Sequence, residues 1–354
     1  MKVLLLGYYG FGNFGDEWSL AEVAAAIREV LPAVELTVIS GDPEATELLH
    51  GLVAVKRTPQ QIRRAIKECD LVVCGGGSLL QDVTSSRSLF YYLSLLWYAI
   101  RNNKRIILWG QGLGPLIRRE HYPLVKKVLD QTCLITLRDR NSYALLQEVG
   151  VAKPVICVTA DPTFSGYLFA PRSQESTEPV LTLVVREWPG KGHQWLDSIA
   201  AAIAGYCQAR HWEVMLCLLQ PDHDRALAAE LQAKLASLGI AASLAPPWQR
   251  LEDVAEIFAS SSLIVAGRYH ALALAAVLGV PAVGIGYDPK VAALGSLLNL
   301  PVLVWEDLQD RERTRQALEA GGRVEPEVLH ALAAAARRTQ EVFAEIILGE
   351  TRGE

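Results

Sequence analysis

Three glycine-rich turns and one cationic turn hold the residues whose types and spacing could do chemistry. The first, Gly10-Phe11-Gly12-Asn13-Phe14-Gly15, runs straight into Asp16-Glu17. Its G-x-G-x-x-G spacing after an apolar run has the form of a dinucleotide fingerprint, and Asp42 follows the next apolar run. Two carboxylates at the head of the following helix oppose that use, because they would repel a pyrophosphate. Asp16 can instead cap the helix, or Asn13, Asp16 and Glu17 can face a polyhydroxyl ligand. The second and third turns are Gly75-Gly76-Gly77-Ser78 and Gly110-Gln111-Gly112-Leu113-Gly114-Pro115. Bare backbone at these places lets a ligand, or another chain segment, come close.

The cationic turn is Gly267-Arg268-Tyr269-His270, between an apolar run and an apolar helix. The guanidinium of Arg268 offers a rigid fork for carboxylate or phosphate. His270 opens the helix, where backbone N–H groups favour anions; capping or packing would equally place it there. Arg186 ends another apolar run, and either a ligand anion or a neighbouring glutamate would satisfy it. If their strands adjoin, Arg186, Arg268 and His270 form an anion pocket. The chain has no G-x-x-x-x-G-K-[ST] loop and no G-x-S-x-G elbow, which disfavours a P-loop nucleotidase and a serine hydrolase. Asp222-His223-Asp224 reads as the acid-rich start of a helix, and no metal is expected.

The elements that must position these turns alternate. Strands are expected at 2–6, 35–39, 71–74, 106–109, 134–137 and 155–158, with helices at 16–30, 59–68, 85–101, 121–130 and 139–149 between them. Apolar runs with little alternation suit parallel strands covered on both faces. Residues 166–179 read as a linker. The pattern resumes with strands at 180–185, 213–218, 263–266, 282–285 and 302–304, and helices at 192–209, 223–237, 250–259 and 269–279. The expected domains are 1–165, 180–320 and a C-terminal helix within 321–354 that could pack back on the first. Ligands of such sheets bind beyond the carboxyl ends of the strands, so the two domains would share a cleft.

At 354 residues, 51% hydrophobic and 21% charged, the chain can build two full cores. Its formal net charge of −5 argues against nucleic acid as a partner. Six scattered cysteines without a C-x-x-C pair suit a reducing cytoplasm, and MKVLLLGYYG reads as a first strand, not a secretory leader. The charge-free stretch 88–100 is too short to span a bilayer; it reads as core, with peripheral contact to a membrane as the other use.

GYYGFGNFGDE at 7–17, CGGGSLLQD at 74–82, GQGLGP at 110–115 and GRYHALALAAVLGVPAVGIGYDPKV at 267–291 resemble the polysaccharide pyruvyltransferase family, in its CsaB-type branch. The resemblance implies an α/β fold of two Rossmann-like domains facing across a cleft, like that of GT-B glycosyltransferases. It implies transfer of a pyruvyl group from phosphoenolpyruvate to two hydroxyls of a sugar, with release of phosphate. The acceptor would be N-acetylmannosamine of a lipid-linked cell-wall precursor, whose product serves S-layer anchoring. His270, Arg268 and Arg186 would bind the donor. His270, Asp16 and Glu17 would be catalytic, and Asn13, Asp16, Gly76, Gly77 and Gln111 would meet the acceptor. No redox cofactor is implied. The alternatives are a GT-B glycosyltransferase using a nucleotide-sugar and a non-catalytic sugar-binding protein.

Overall fold

The computed structural model describes residues 1–83, 85–170, 179–188 and 192–351. The chain divides into two compact units. The first takes in Met1–Phe11, Asp16–Leu168 and His330–Glu354; the second takes in Gly12–Gly15 and Phe169–Leu329. Residues 171–178 of the expected linker lie outside the described residues.

In the first unit β1 (Lys2–Tyr9), α1 (Phe14–Val30), β2 (Glu35–Ser40), α2 (Pro43–His50), β3 (Val53–Lys56), α3 (Pro59–Glu68) and β4 (Leu71–Gly75) lead into α4 (Ser86–Arg101). Then come β5 (Arg105–Gln111), α5 (Tyr122–Leu129), β6 (Leu134–Leu137), α6 (Arg140–Val149) and β7 (Val155–Val158). Among the described residues these strands form one sheet in the order β3-β2-β1-β4-β5-β6-β7, with every neighbouring pair parallel. The chain changes direction across the sheet between β1 and β4. The crevice for a ligand therefore opens at the carboxyl ends of those two strands, where the first two glycine turns lie.

Local chemistry places the helices. The Asp42 carboxylate caps α2, accepting from the Ala45 amide at 3.1 Å. Thr58 and Asp139 cap α3 and α6 in the same way. In α4, Leu89, Tyr92, Leu93, Leu96 and Ala99 are buried, and Tyr91, Trp97 and Tyr98 pack half-buried against the same core. The stretch 88–100 thus turns most of its aromatic surface inward, while Phe90 stands exposed. Among the described residues no helix is long and apolar enough to cross a membrane.

The second unit contains β8 (Val180–Val184), α7 (Trp195–Arg210), β9 (Glu213–Leu216), α8 (Pro221–Ser237), β10 (Ala242–Leu244), α9 (Leu251–Ala259) and β11 (Leu263–Ala266). It continues with α10 (Tyr269–Leu278), β12 (Ala282–Ile285), α11 (Pro289–Leu298), β13 (Val302–Leu303) and α12 (Arg311–Glu319). Its parallel sheet has the order β10-β9-β8-β11-β12-β13, with the reversal between β8 and β11. α10 is buried along nearly all of its length.

The last helix, α13 (Pro326–Thr351), contributes Val342, Phe343 and Ile347 to the core of the first unit. Phe343 is fully buried, with its ring centroid 5.1 Å from that of Trp109. The Thr339 hydroxyl lies within hydrogen-bond distance of those of Thr159 at 2.9 Å and Thr136 at 3.2 Å.

α1 and α13 also clamp the end of the first unit. Glu22, fully buried, accepts from the Trp18 indole and from the amides of Tyr167 and Leu168 at 3.0–3.1 Å. Arg337 donates to the Ser165 carbonyl at 2.9 Å. Burial outweighs these bonds and raises the Glu22 carboxyl from 4.5 to about 7. The unfolded chain gives up this proton first. The stability held by the protonated form is therefore complete below pH 4.5 and is lost as pH climbs to about 7. The expected loss is ~3 kcal/mol. Urea unfolding across this range should show the slope in the native chain and a flatter curve in Glu22→Gln; parallel curves would refute it.

Candidate functional site

At the carboxyl end of the first sheet, the glycine turns are tied to one another from inside. Glu17 is buried; its Oε1 accepts from the Gly10 amide at 2.8 Å and its Oε2 from His50 Nε2 at 2.9 Å. This carboxylate holds the first turn in place. Asp16 is half-buried beside the second turn, with Oδ1 3.1 Å from where a Cβ on Gly77 would lie. Gln111, expected to meet a sugar, is 2% exposed and points inward, its amide donating to the carbonyls of Gly76 and Cys74. Tyr9, also buried, donates to the Gly75 carbonyl at 2.6 Å. The structure thus gathers Asp16, Glu17, Gly76, Gly77 and Gln111 at one end of one sheet. Of the two carboxylates, Asp16 is the accessible one.

Two arginines of this end are absent from the residues expected. Arg138, just past β6, is buried; it donates to Asp161 Oδ2 at 3.1 Å and to the Ser78 hydroxyl at 3.2 Å, bracing the second glycine turn. Arg57, just past β3, donates to the phenol oxygens of Tyr91 at 2.7 Å and Tyr92 at 3.3 Å. The signal for Arg57 was a cation at a strand end, hidden because VAVK is too short and too exposed to read as a strand.

In the second unit, Asn13 accepts from the Gly15 amide at 3.3 Å, and the Phe14 amide donates to the Leu219 carbonyl at 2.9 Å. A Cβ on Gly15 would fall 1.9 Å from Nδ1 of His270. Only glycine lets the half-buried imidazole lie so close to the backbone. His270 and the first glycine turn therefore meet directly, a juxtaposition that neither motif reveals alone.

Arg268 departs from expectation. It is 5% exposed, and its fork is bound within the protein. Nε donates to Asp224 Oδ2 at 3.0 Å, and Nη2 donates to Asp224 Oδ1 and, at 3.2 Å, to Gln220 Oε1. Asp224 also accepts from the Gln220 amide at 2.9 Å. The acid-rich head of α8 thus supplies the counter-charge of the cationic turn. Arg268 precedes α10 without capping it by its side chain. Arg186 is exposed at the end of β8, donating to the Tyr287 hydroxyl at 3.3 Å. The two strand ends abut: a Cβ on Gly267 would lie 2.7 Å from the Val184 carbonyl oxygen and 3.6 Å from the Arg186 amide.

Removing one partner of a buried ion pair strands the other charge. Asp224→Ala should cost ~3–5 kcal/mol in urea unfolding. Asp224→Ala/Arg268→Met should recover most of it. A double variant no more stable than the single would show that the loss comes from elsewhere.

A family model described as polysaccharide pyruvyl transferase matches residues 13–289. No curated protein matches the chain. Solved structures match nearly end to end. S. aureus MnaA in its UDP co-structure shares 12% identity at a TM-score of 0.64, over 98% of this chain and 95% of that one. UDP-GlcNAc 2-epimerase from Methanocaldococcus jannaschii shares 13% at 0.66, over 97% and 99%. The lipopolysaccharide outer core galactosyltransferase WaaB shares 13% at 0.57, over 99% and 100%. These likenesses show the fold, a GT-B-like pair of Rossmann-type units.

They also correct the CsaB-type reading. The structures matched along the whole chain are named for a UDP complex of MnaA, a UDP-GlcNAc 2-epimerase and a galactosyltransferase, and the Arg268 fork expected to hold the donor's anions is taken up by Asp224 and Gln220. Phosphoenolpyruvate as donor, ketal formation and a part in S-layer anchoring are therefore withdrawn. Membership rests on the matched span, which takes in the second and third glycine turns and the cationic turn; the chain belongs to the polysaccharide pyruvyl transferase family.

Proposed function

We propose that this protein is an enzyme acting on a nucleotide-sugar, with the nucleoside diphosphate held at the β8–β11 reversal of the second unit. The observation that carries the reading is the abutment of exposed Arg186 with the turn that opens α10. The start of α10 favours negative charge, and Arg186 adds an exposed fork beside it. Gly267 leaves room for no side chain, so the strand ending at Ala266 packs backbone to backbone against Val184 and Val185 and brings Arg186 beside the turn. Trp188 and Tyr287, ring centroids 6.2 Å apart, provide aromatic surface beside Arg186 for a base. Arg268 holds the turn through Asp224 and leaves the ligand's charge to Arg186 and the helix.

His270, fixed against Gly15, is the residue we assign to proton exchange with the bound phosphate or sugar. The likeness in fold to the UDP-bound MnaA structure supports the same class of ligand.

Calorimetry with UDP and UDP-GlcNAc should give saturable binding, weakened about tenfold by Arg186→Ala. UDP-GlcNAc turnover, followed as epimer formation or as UDP release with a glycan acceptor, should fall at least a hundredfold in His270→Ala. Failure of every nucleotide and nucleotide-sugar to bind would end the proposal. Binding without turnover in either assay would leave a sugar-nucleotide-binding protein and remove the enzyme.

A further inference from the structure

Arg57 is half-buried, and its hydrogen-bond partners are two phenols, neither of them a carboxylate. Its guanidinium lies 4.2 Å from the ring centroid of Tyr91 and 5.4 Å from those of Phe11 and Tyr92. Phe11 in turn stacks on Tyr8, centroids 4.3 Å apart and planes within 14°. The result is a continuous stack of Tyr8, Phe11, Arg57 and Tyr91, each half-buried and so presenting an open edge or face. Tyr92 fixes its base, donating to the Gly7 carbonyl at 3.3 Å. The Arg57 amide is bound to the Ser40 carbonyl at 3.0 Å, which pins the turn after β3.

Among the described residues the fully buried arginines are neutralised by a carboxylate: Arg138 by Asp161 and Arg268 by Asp224. The tyrosines at Arg57 do not do this. Burial pushes the Tyr92 phenol further from ionisation, so it stays neutral. A half-buried guanidinium on an aromatic bed attracts an anion, and flat aromatic faces accept the apolar face of a sugar ring.

The geometry points to a second ligand site, on the first unit: Arg57 with Tyr8, Phe11 and Tyr91 binds a sugar carrying one anionic group, a phosphate or a ring carboxylate. The site is built from the first unit alone and stands independently of the nucleotide reading.

The test titrates the full chain with N-acetylglucosamine 1-phosphate, glucuronate, N-acetylglucosamine and inorganic phosphate by ligand-observed NMR. At least one anionic sugar should bind about tenfold or more tightly than the neutral sugar. Preference for the phosphate or for the uronate names the anion. Arg57→Met should abolish the advantage, and Arg57→Lys should reduce it at least about threefold, because a point charge does not replace the fork. Arg186→Ala should leave it intact, which separates this site from the second unit. Unchanged affinity in Arg57→Met, or in Arg57→Lys if the first variant does not fold, would overturn the proposal. So would equal binding of charged and neutral sugars, inorganic phosphate binding as tightly as the sugar phosphate, or loss in Arg186→Ala.

Discussion

A guanidinium taken out of water must find negative charge or pull some in. That constraint organises both units. Arg268 meets it with Asp224, and the bidentate pair ties the turn before α10 to the head of α8. Arg138 meets it with Asp161, and its Nη2 reaches the Ser78 hydroxyl and so steadies the second glycine turn. Such pairs add little net stability over apolar packing, but they fix loops in one arrangement. Arg57 leaves the requirement open. The difference between a neutralised arginine and an open one separates framework from ligand surface here more sharply than sequence position does.

Much of the architecture was legible because buried parallel strands read as unbroken apolar runs. VVC before three glycines and LIVA before Gly267 are examples. Of the elements missed, which include α2 and α11, three share a cause. β3 and β10 are short edge strands exposed along part of their length, and α12 is a polar surface helix whose buried residues are Thr314 and Leu318. None presents the contrast on which a periodicity argument depends.

The site was legible in its motifs but not in its pairings. That glycine turns and a cationic turn sit at strand ends follows from spacing. That Arg268 is occupied follows only from Asp224, forty-four residues earlier, whose side chain reads equally well as an ordinary helix-head acid. Likewise the fit of His270 against Gly15 spans most of the chain, and neither residue alone announces it. Family membership was read from the motifs themselves, whereas chemistry depends on which charges remain open once the fold has used the others.

The first unit is assembled from both ends of the chain, since α13 supplies Phe343 and Ile347 to a core whose strands lie within the first 160 residues. On the ribosome those strands emerge long before the helix that seals them, so for most of translation Trp109 lacks its aromatic neighbour. The strands of the second unit are all made before α13 is complete and can condense first. Nascent chains of this protein therefore carry an unsealed first unit until α13 has been made, a window in which chaperone attendance matters most.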